Sequence, residues 1–153
     1  EECDQILNTD FEFIVSSVRQ LDKVVVDKEV RSNTLSMFTN RDIDSKILNL
    51  VSNLELEALQ ILKYEVGEKF ISHYDGEYQD KKRLYTTIVY LNDDYEGGQT
   101  YFKNIGLTIK PKKGKMIIWK NFKNGEINVD SLHEGLPVIS GTKYVLVNWV
   151  LIK

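Results

Sequence analysis

The chain has 153 residues, of which 42% are hydrophobic and 28% charged, and its formal net charge at pH 7 is −3. That length supports one domain with its own core, the acidic balance runs against nucleic-acid binding, and Cys3, the lone cysteine, rules out an internal disulfide or a Cys-based zinc site. No apolar run approaches the ~20 residues of a membrane-crossing helix, and the abrupt start at Glu1, without initiator Met or signal pattern, reads as a trimmed domain whose localisation stays unassigned.

Taken in order, residues 1–22 place Ile6, Leu7, Phe11, Ile14, Val18 and Leu21 at three-to-four spacing, which predicts a helical face. Val24-Val25-Val26 reads as a short strand, and residues 31–38 hold a further candidate strand. Asp42 or Asp44 is the expected cap of a second helix, with Ile43, Ile47, Leu48, Val51 and Leu54 as its buried stripe. From Leu59 the pattern changes to short β runs: 59–66, 69–74, 84–91, 99–102, 107–109, 115–120 and 143–152. Turn signals separate them at Gly67, Asp75-Gly76, residues 92–98, Gly106, Lys113-Gly114, Asn124-Gly125 and Ser140-Gly141. The expectation is an α+β, mainly β chain: supporting helices over about 1–58, then a sandwich or barrel core over about 59–153. A jelly roll is the natural candidate, because its inward-facing residues can line a cavity.

Chemistry concentrates at His73-Tyr74-Asp75 and at His133, the second of the chain's two histidines. On a strand, positions i and i+2 share a face, so His73 and Asp75 point together. A later strand carrying His133 alongside would complete two imidazoles and one carboxylate, the facial triad of non-haem Fe(II) oxygenases. The donor set holds no sulfur and suits Fe(II) better than a structural zinc; a catalytic zinc fits the same donors, and histidines in purely structural roles are the plainer alternative. Lys143, ten residues after His133, stands in register with Val145, Val147 and Trp149 on the last strand. If that face is inward, the ammonium needs an anionic partner, because a buried unpaired charge is costly. If it is outward, Lys143 is an ordinary surface residue.

Several segments, in this order and spacing, carry a resemblance. They are residues 57–67 (Glu57 to Gly67), His73-Tyr74-Asp75, residues 83–92 (Arg83 to Asn92) and Glu96-Gly97-Gly98-Gln99-Thr100-Tyr101-Phe102. Residues 109–114, His133-Glu134-Gly135-Leu136-Pro137-Val138, and Gly141 to Trp149 complete the series, and Glu2-Cys3-Asp4 matches the usual opening. From about Thr34 to Lys153 the sequence resembles the catalytic domain of the prolyl 4-hydroxylases, members of the Fe(II)- and 2-oxoglutarate-dependent dioxygenases, whose core is a double-stranded β-helix (jelly roll). The resemblance implies that His73, Asp75 and His133 hold Fe(II) and that 2-oxoglutarate chelates it, with Lys143 pairing the far carboxylate. It implies that Thr100 and Tyr90 hydrogen-bond the cosubstrate, that Tyr64 lines its pocket, and that Arg83 and Trp149 face a proline-containing peptide or protein. O2 is the co-reactant, succinate and CO2 are the by-products, and ascorbate is the family's reductant.

Two departures bear on substrate choice. Relatives commonly carry tyrosine where this chain has Phe70, so one substrate hydrogen bond is lost while the ring is kept. The segment from Gly76 to Lys82 is short and charged where relatives have a loop that closes over the peptide, and residues 31–45 border the same groove. The nearest rival is a peptidyl lysyl hydroxylase, suggested by Asp94-Tyr95-Glu96-Gly97-Gly98 and His133 to Pro137. That family typically anchors 2-oxoglutarate with arginine, and an arginine fork is not interchangeable with the point charge of Lys143. A small-molecule or amino-acid hydroxylase and a non-catalytic jelly-roll binding module complete the alternatives.

Overall fold

The last long run sets the architecture, because Lys143, Val145, Val147 and Trp149 are buried on one face while Leu146 and Val150 are buried on the other. A strand covered on both faces must lie inside a layered structure. The computed structural model describes residues 1–20, 23–51, 54–78 and 81–151. The first elements are α1 (Glu2–Leu7), β1 (Ile14–Val15), β2 (Val18–Gln20), β3 (Lys23–Val25), β4 (Thr34–Phe38) and α2 (Arg41–Leu50). The central ones are β5 (Glu55–Leu56), β6 (Leu59–Tyr64), β7 (Phe70–His73), β8 (Glu77–Tyr78), β9 (Lys81–Tyr90), β10 (Glu96–Gly97), β11 (Thr100–Phe102) and β12 (Leu107–Ile109). The chain then gives β13 (Met116–Lys120), β14 (Phe122–Lys123), β15 (Glu126–Ile127), β16 (His133–Gly135), β17 (Val138–Ser140) and β18 (Lys143–Leu151).

The major sheet runs β1-β4-β6-β18-β9-β13, with β5 added to β18 and β8 to β9; the minor sheet runs β12-β11-β16-β7. The named strands pair antiparallel, and β10 with β17 forms a separate two-stranded ladder. Leu62, Tyr64, Tyr90, Val138, Val145, Val147 and Trp149 pack as one apolar cluster on the face of the major sheet that looks toward the minor one. Leu59, Ile61, Leu146 and Val150 form a second cluster on the opposite face, under Ile6 of α1 and Ile47 and Val51 at the end of α2. Burying one such Leu, Ile or Val contributes roughly 1.5–3 kcal/mol. This is the jelly roll with few helices, and α1 and α2 both lie on the outer face of the major sheet.

The N-terminal segment departs from the helical expectation. The helical face expected over 1–22 ends at Leu7, and among the described residues before Leu59 there are five strands beside two helices. Phe11 and Phe13 alternate with polar residues and meet Phe38 and Tyr144 on the outer face, a period of two that the three-to-four count had absorbed. Leu21 and Ile152, also placed in expected elements, lie outside the described residues, as do positions 79 and 80 of the charged segment. The cap of α2 is Asn40, whose side chain accepts from the N–H groups of Asp42 and Ile43, both at 3.1 Å. Asp42 and Asp44 instead occupy the first turn, where negative charge favours the helix dipole. The Asn124-Gly125 signal is a two-residue hairpin loop between β14 and β15; both residues have positive φ, 55° and 84°, as a type I′ turn requires.

Candidate metal centre

Strand pairing brings the two histidines together. β7 and β16 are antiparallel neighbours with His73 opposite His133, and Phe102 of β11 lies opposite His133 on its other side. Asp75 sits two residues beyond the end of β7, on the connection to β8, so the shared face holds although the strand itself stops at His73. The connection is tight: a Cβ on Gly76 would lie 2.6 Å from the tip of the Ile127 side chain of the β14–β15 hairpin, which would have to move aside. One ligand atom from each of His73, Asp75 and His133 falls within 4.8 Å of the others. Nε2 of His73 is 3.6 Å from Asp75 Oδ1, and Nε2 of His133 is 3.5 Å from Asp75 Oδ2.

Both imidazoles are oriented from behind. Nδ1–H of His73 donates to the carbonyl of Ile71 at 2.7 Å, and Nδ1–H of His133 to the carbonyl of Ser131 at 2.9 Å. Because a carbonyl can only accept, these bonds put a proton on Nδ1 of each ring and turn Nε2 toward the carboxylate. Burial, and then the neighbouring His133 ring, hold the His73 imidazole far below its usual range, so it stays neutral. Burial alone would raise the Asp75 carboxyl; the two histidines, Arg83 and the Thr86 hydroxyl outweigh it and keep it ionised. The two Nε2 atoms and the Asp75 carboxylate therefore face one point, a set of donors that a divalent cation can join. The N,N,O set with its Nδ1 groups already satisfied fits Fe(II) and similar divalent ions.

The rings are also packed. Phe70 stacks on His73 with centroids 3.6 Å apart and planes 17° apart, and the guanidinium of buried Arg31 lies 4.8 Å from the Phe70 ring centroid. Trp119 meets His133 edge-on at 4.7 Å and Phe102 at 5.2 Å.

The same cavity is lined by Tyr64, Phe70, Thr100, Lys143 and Trp149, with Leu62, Ile88, Val145 and Val147 as its apolar wall. Lys143 points inward and is 3% exposed. Its ammonium donates to the Gly98 carbonyl at 2.7 Å and lies 4.7 Å from the Tyr64 ring centroid. No carboxylate pairs with it among the described residues, and burial pushes its pKa down to about 7. Tyr90 reaches the site through its hydroxyl, 2.7 Å from Thr100 Oγ1. Burial raises Tyr64 to about 12 and raises Tyr90 as well, so both phenols keep their protons.

Arg83 stands apart from the expected group. It does not line the cavity but makes a two-pronged ion pair with Glu57, both bonds at 2.7 Å, while its guanidinium covers the Trp149 indole at 3.8 Å. The inner wall of the major sheet adds residues that motif reading did not single out. Thr86 donates to Asp75 Oδ2 at 2.9 Å, and Arg31 lines the cavity from the segment before β4. Thr86 was open to parity counting on β9, since it shares a face with Ile88 and Tyr90; Arg31 had no local signal.

Residues 59–151 match the family model of the 2OG-Fe(II) oxygenase superfamily. The chain is 37% identical over 116 residues to probable prolyl 4-hydroxylase 9 of Arabidopsis thaliana, covering 61% of this chain and 40% of that protein. It is 32% identical over 105 residues to prolyl 4-hydroxylase subunit alpha-1 of Bos taurus, covering 61% and 20%. It thus spans well under two thirds of the length of these relatives. Among solved structures, viral collagen prolyl hydroxylase vCPH from Paramecium Bursaria Chlorella virus-1, as its 2OG complex, superposes with a TM-score of 0.71 at 28% identity over 81% of each chain. A Trichoplax adhaerens prolyl hydroxylase bound to a hypoxia inducible factor peptide shares the fold, with a TM-score of 0.73 at 18% identity over 98% of this chain and 74% of that one.

Proposed function

Because the chain belongs to the 2OG-Fe(II) oxygenase superfamily, we propose that it hydroxylates peptidyl proline, using Fe(II), 2-oxoglutarate and O2 and releasing succinate and CO2. The observation that carries this reading is one cavity holding both the His73–Asp75–His133 cluster and a buried, unpaired Lys143. His73, Asp75 and His133 would hold the metal, which supplies, with 2-oxoglutarate and O2, the oxidising power for the hydroxylation.

The chain's own residues do the rest. Lys143 would receive the distal carboxylate of 2-oxoglutarate, an anion that the buried ammonium lacks. The Tyr90–Thr100 hydroxyl pair and the Tyr64 ring would orient that same cosubstrate. Leu62, Ile88, Val145 and Val147 keep water from the reacting atoms. Phe70 and Trp149 line the cavity with aromatic carbon that a prolyl ring would pack against, and Arg83 holds the Trp149 indole in place. The prolyl target is supported by the relatives named as prolyl 4-hydroxylases, and Lys143 in place of an arginine favours it over a lysyl target. Ascorbate would serve as the external reductant.

Succinate release from 2-oxoglutarate with added Fe(II) tests the reading. The chain should turn over, and His133→Ala should not; equal background release from both would overturn it.

A further inference from the structure

Asn121 is fully buried, directly follows the last residue of β13, and lies outside the segments that carry the family resemblance. Its amide nitrogen donates twice, to the Arg83 carbonyl at 3.0 Å and to Thr86 Oγ1 at 2.9 Å. The first bond identifies which end of the amide is nitrogen, since a carbonyl has no proton to give. The second directs the threonine hydroxyl. Thr86 Oγ1 already accepts from Asn121, so its single proton goes to Asp75 Oδ2, 2.9 Å away. Without the amide, nothing in this set stops the hydroxyl from rotating toward another acceptor.

The backbone of Asn121 is pinned on both sides. Its N–H donates to the Leu84 carbonyl and its carbonyl accepts from the Asn128 N–H, both at 2.9 Å. Asn128 in turn accepts from the Ser131 hydroxyl, and the Ser131 carbonyl is the group that orients His133. The Asn121 Oδ1 atom, by contrast, is buried with no hydrogen-bond partner among the described residues. A side chain present for packing alone would not carry that penalty; leucine has the volume without it.

We infer that Asn121 is a positioning residue for the metal-binding carboxylate: acting through Thr86, it sets the hydrogen bond that holds Asp75 Oδ2 and so presents the carboxylate to the two Nε2 atoms. The inference rests on the reading of Asp75 as a metal ligand. A partner behind a ligand typically changes metal affinity rather than merely fold stability.

The test is Mn(II) affinity, measured by electron paramagnetic resonance titration on the unsubstituted chain, Thr86→Val, Thr86→Ser, Asn121→Leu and the Thr86→Val/Asn121→Leu double variant, each checked for folding by circular dichroism. Thr86→Val and Asn121→Leu should each weaken Mn(II) binding about 10-fold, the low end for groups behind a ligand. Thr86→Ser should retain the affinity, and Asn121→Leu should add nothing once Thr86 is valine, because its action passes through that hydroxyl. If Asn121→Leu does not fold, Asn121→Ala takes its place in both arms. Unchanged affinity in a folded Asn121 variant, or a fully additive loss in the double variant, overturns the inference alone. An unsubstituted chain that binds no Mn(II) overturns the metal reading beneath it, and this inference with it.

Discussion

Replacing Lys143 with methionine should make the protein more stable and unable to hold 2-oxoglutarate, and the stability gain should depend on pH in one direction. Burial lowers the lysine from 10.5 to about 7, so the folded chain binds fewer protons than the unfolded chain between those values. Stability of the unsubstituted protein therefore rises with pH across that window, and the penalty for burying the lysine is greatest at and below about pH 7. At 1.36 kcal/mol per unit, the shift amounts to about 4 kcal/mol at pH 7 and about 2 kcal/mol at pH 9. Methionine removes this penalty but forfeits the bond to the Gly98 carbonyl and the contacts with the Tyr64 and Tyr90 rings, together about 2 kcal/mol. The expected net gain is about 2 kcal/mol at pH 7, or about 4–8 °C in Tm for a domain of this size, fading to none by pH 9. Thermal unfolding of both proteins at the two pH values, without metal, measures it. A variant less stable at pH 7, or a gain that does not change with pH, would refute the account of Lys143 as a buried cation awaiting an anion.

Other perturbations have defined outcomes. Lys143→Ala should raise the 2-oxoglutarate concentration needed for half-maximal turnover far more than it alters Mn(II) affinity, which titration of both ligands would compare. His133→Ala should abolish metal binding outright, because two donors cannot close the site. Arg83→Met leaves the half-buried Glu57 carboxylate without its partner and should cost about 2 kcal/mol in urea unfolding. Asn40→Ala removes the cap of α2 and should cost about 1 kcal/mol with turnover unchanged.

The parts of this architecture that were legible in the sequence are those with a local cause. That Lys143, Val145, Val147 and Trp149 share a face follows from strand alternation, though not which way that face looks, and Asn124-Gly125 announces its hairpin through the φ values it demands. The neighbourhood of His73, Asp75 and His133 was readable because the chain has so few histidines and one lies two residues from an aspartate. The N-terminal segment misled because Phe11, Ile14 and Val18 suit a helical period while Phe11 and Phe13 pack at a period of two. Parity places Thr86 on the inner face, but the Glu57–Arg83–Trp149 and Asn121–Thr86–Asp75 contacts themselves were not legible. Each joins single residues from separate strands and connections, and such pairings leave no periodic trace.

The central claim is that this cavity oxidises a peptidyl proline at the expense of 2-oxoglutarate. The most direct measurement is tandem mass spectrometry of a proline-rich peptide that also contains lysine, after incubation with the chain, Fe(II), 2-oxoglutarate and ascorbate in air. The account predicts a gain of one oxygen atom located on proline, absent with His133→Ala. Oxygen located on lysine, or no gain in peptide mass despite bound metal and 2-oxoglutarate, would contradict it.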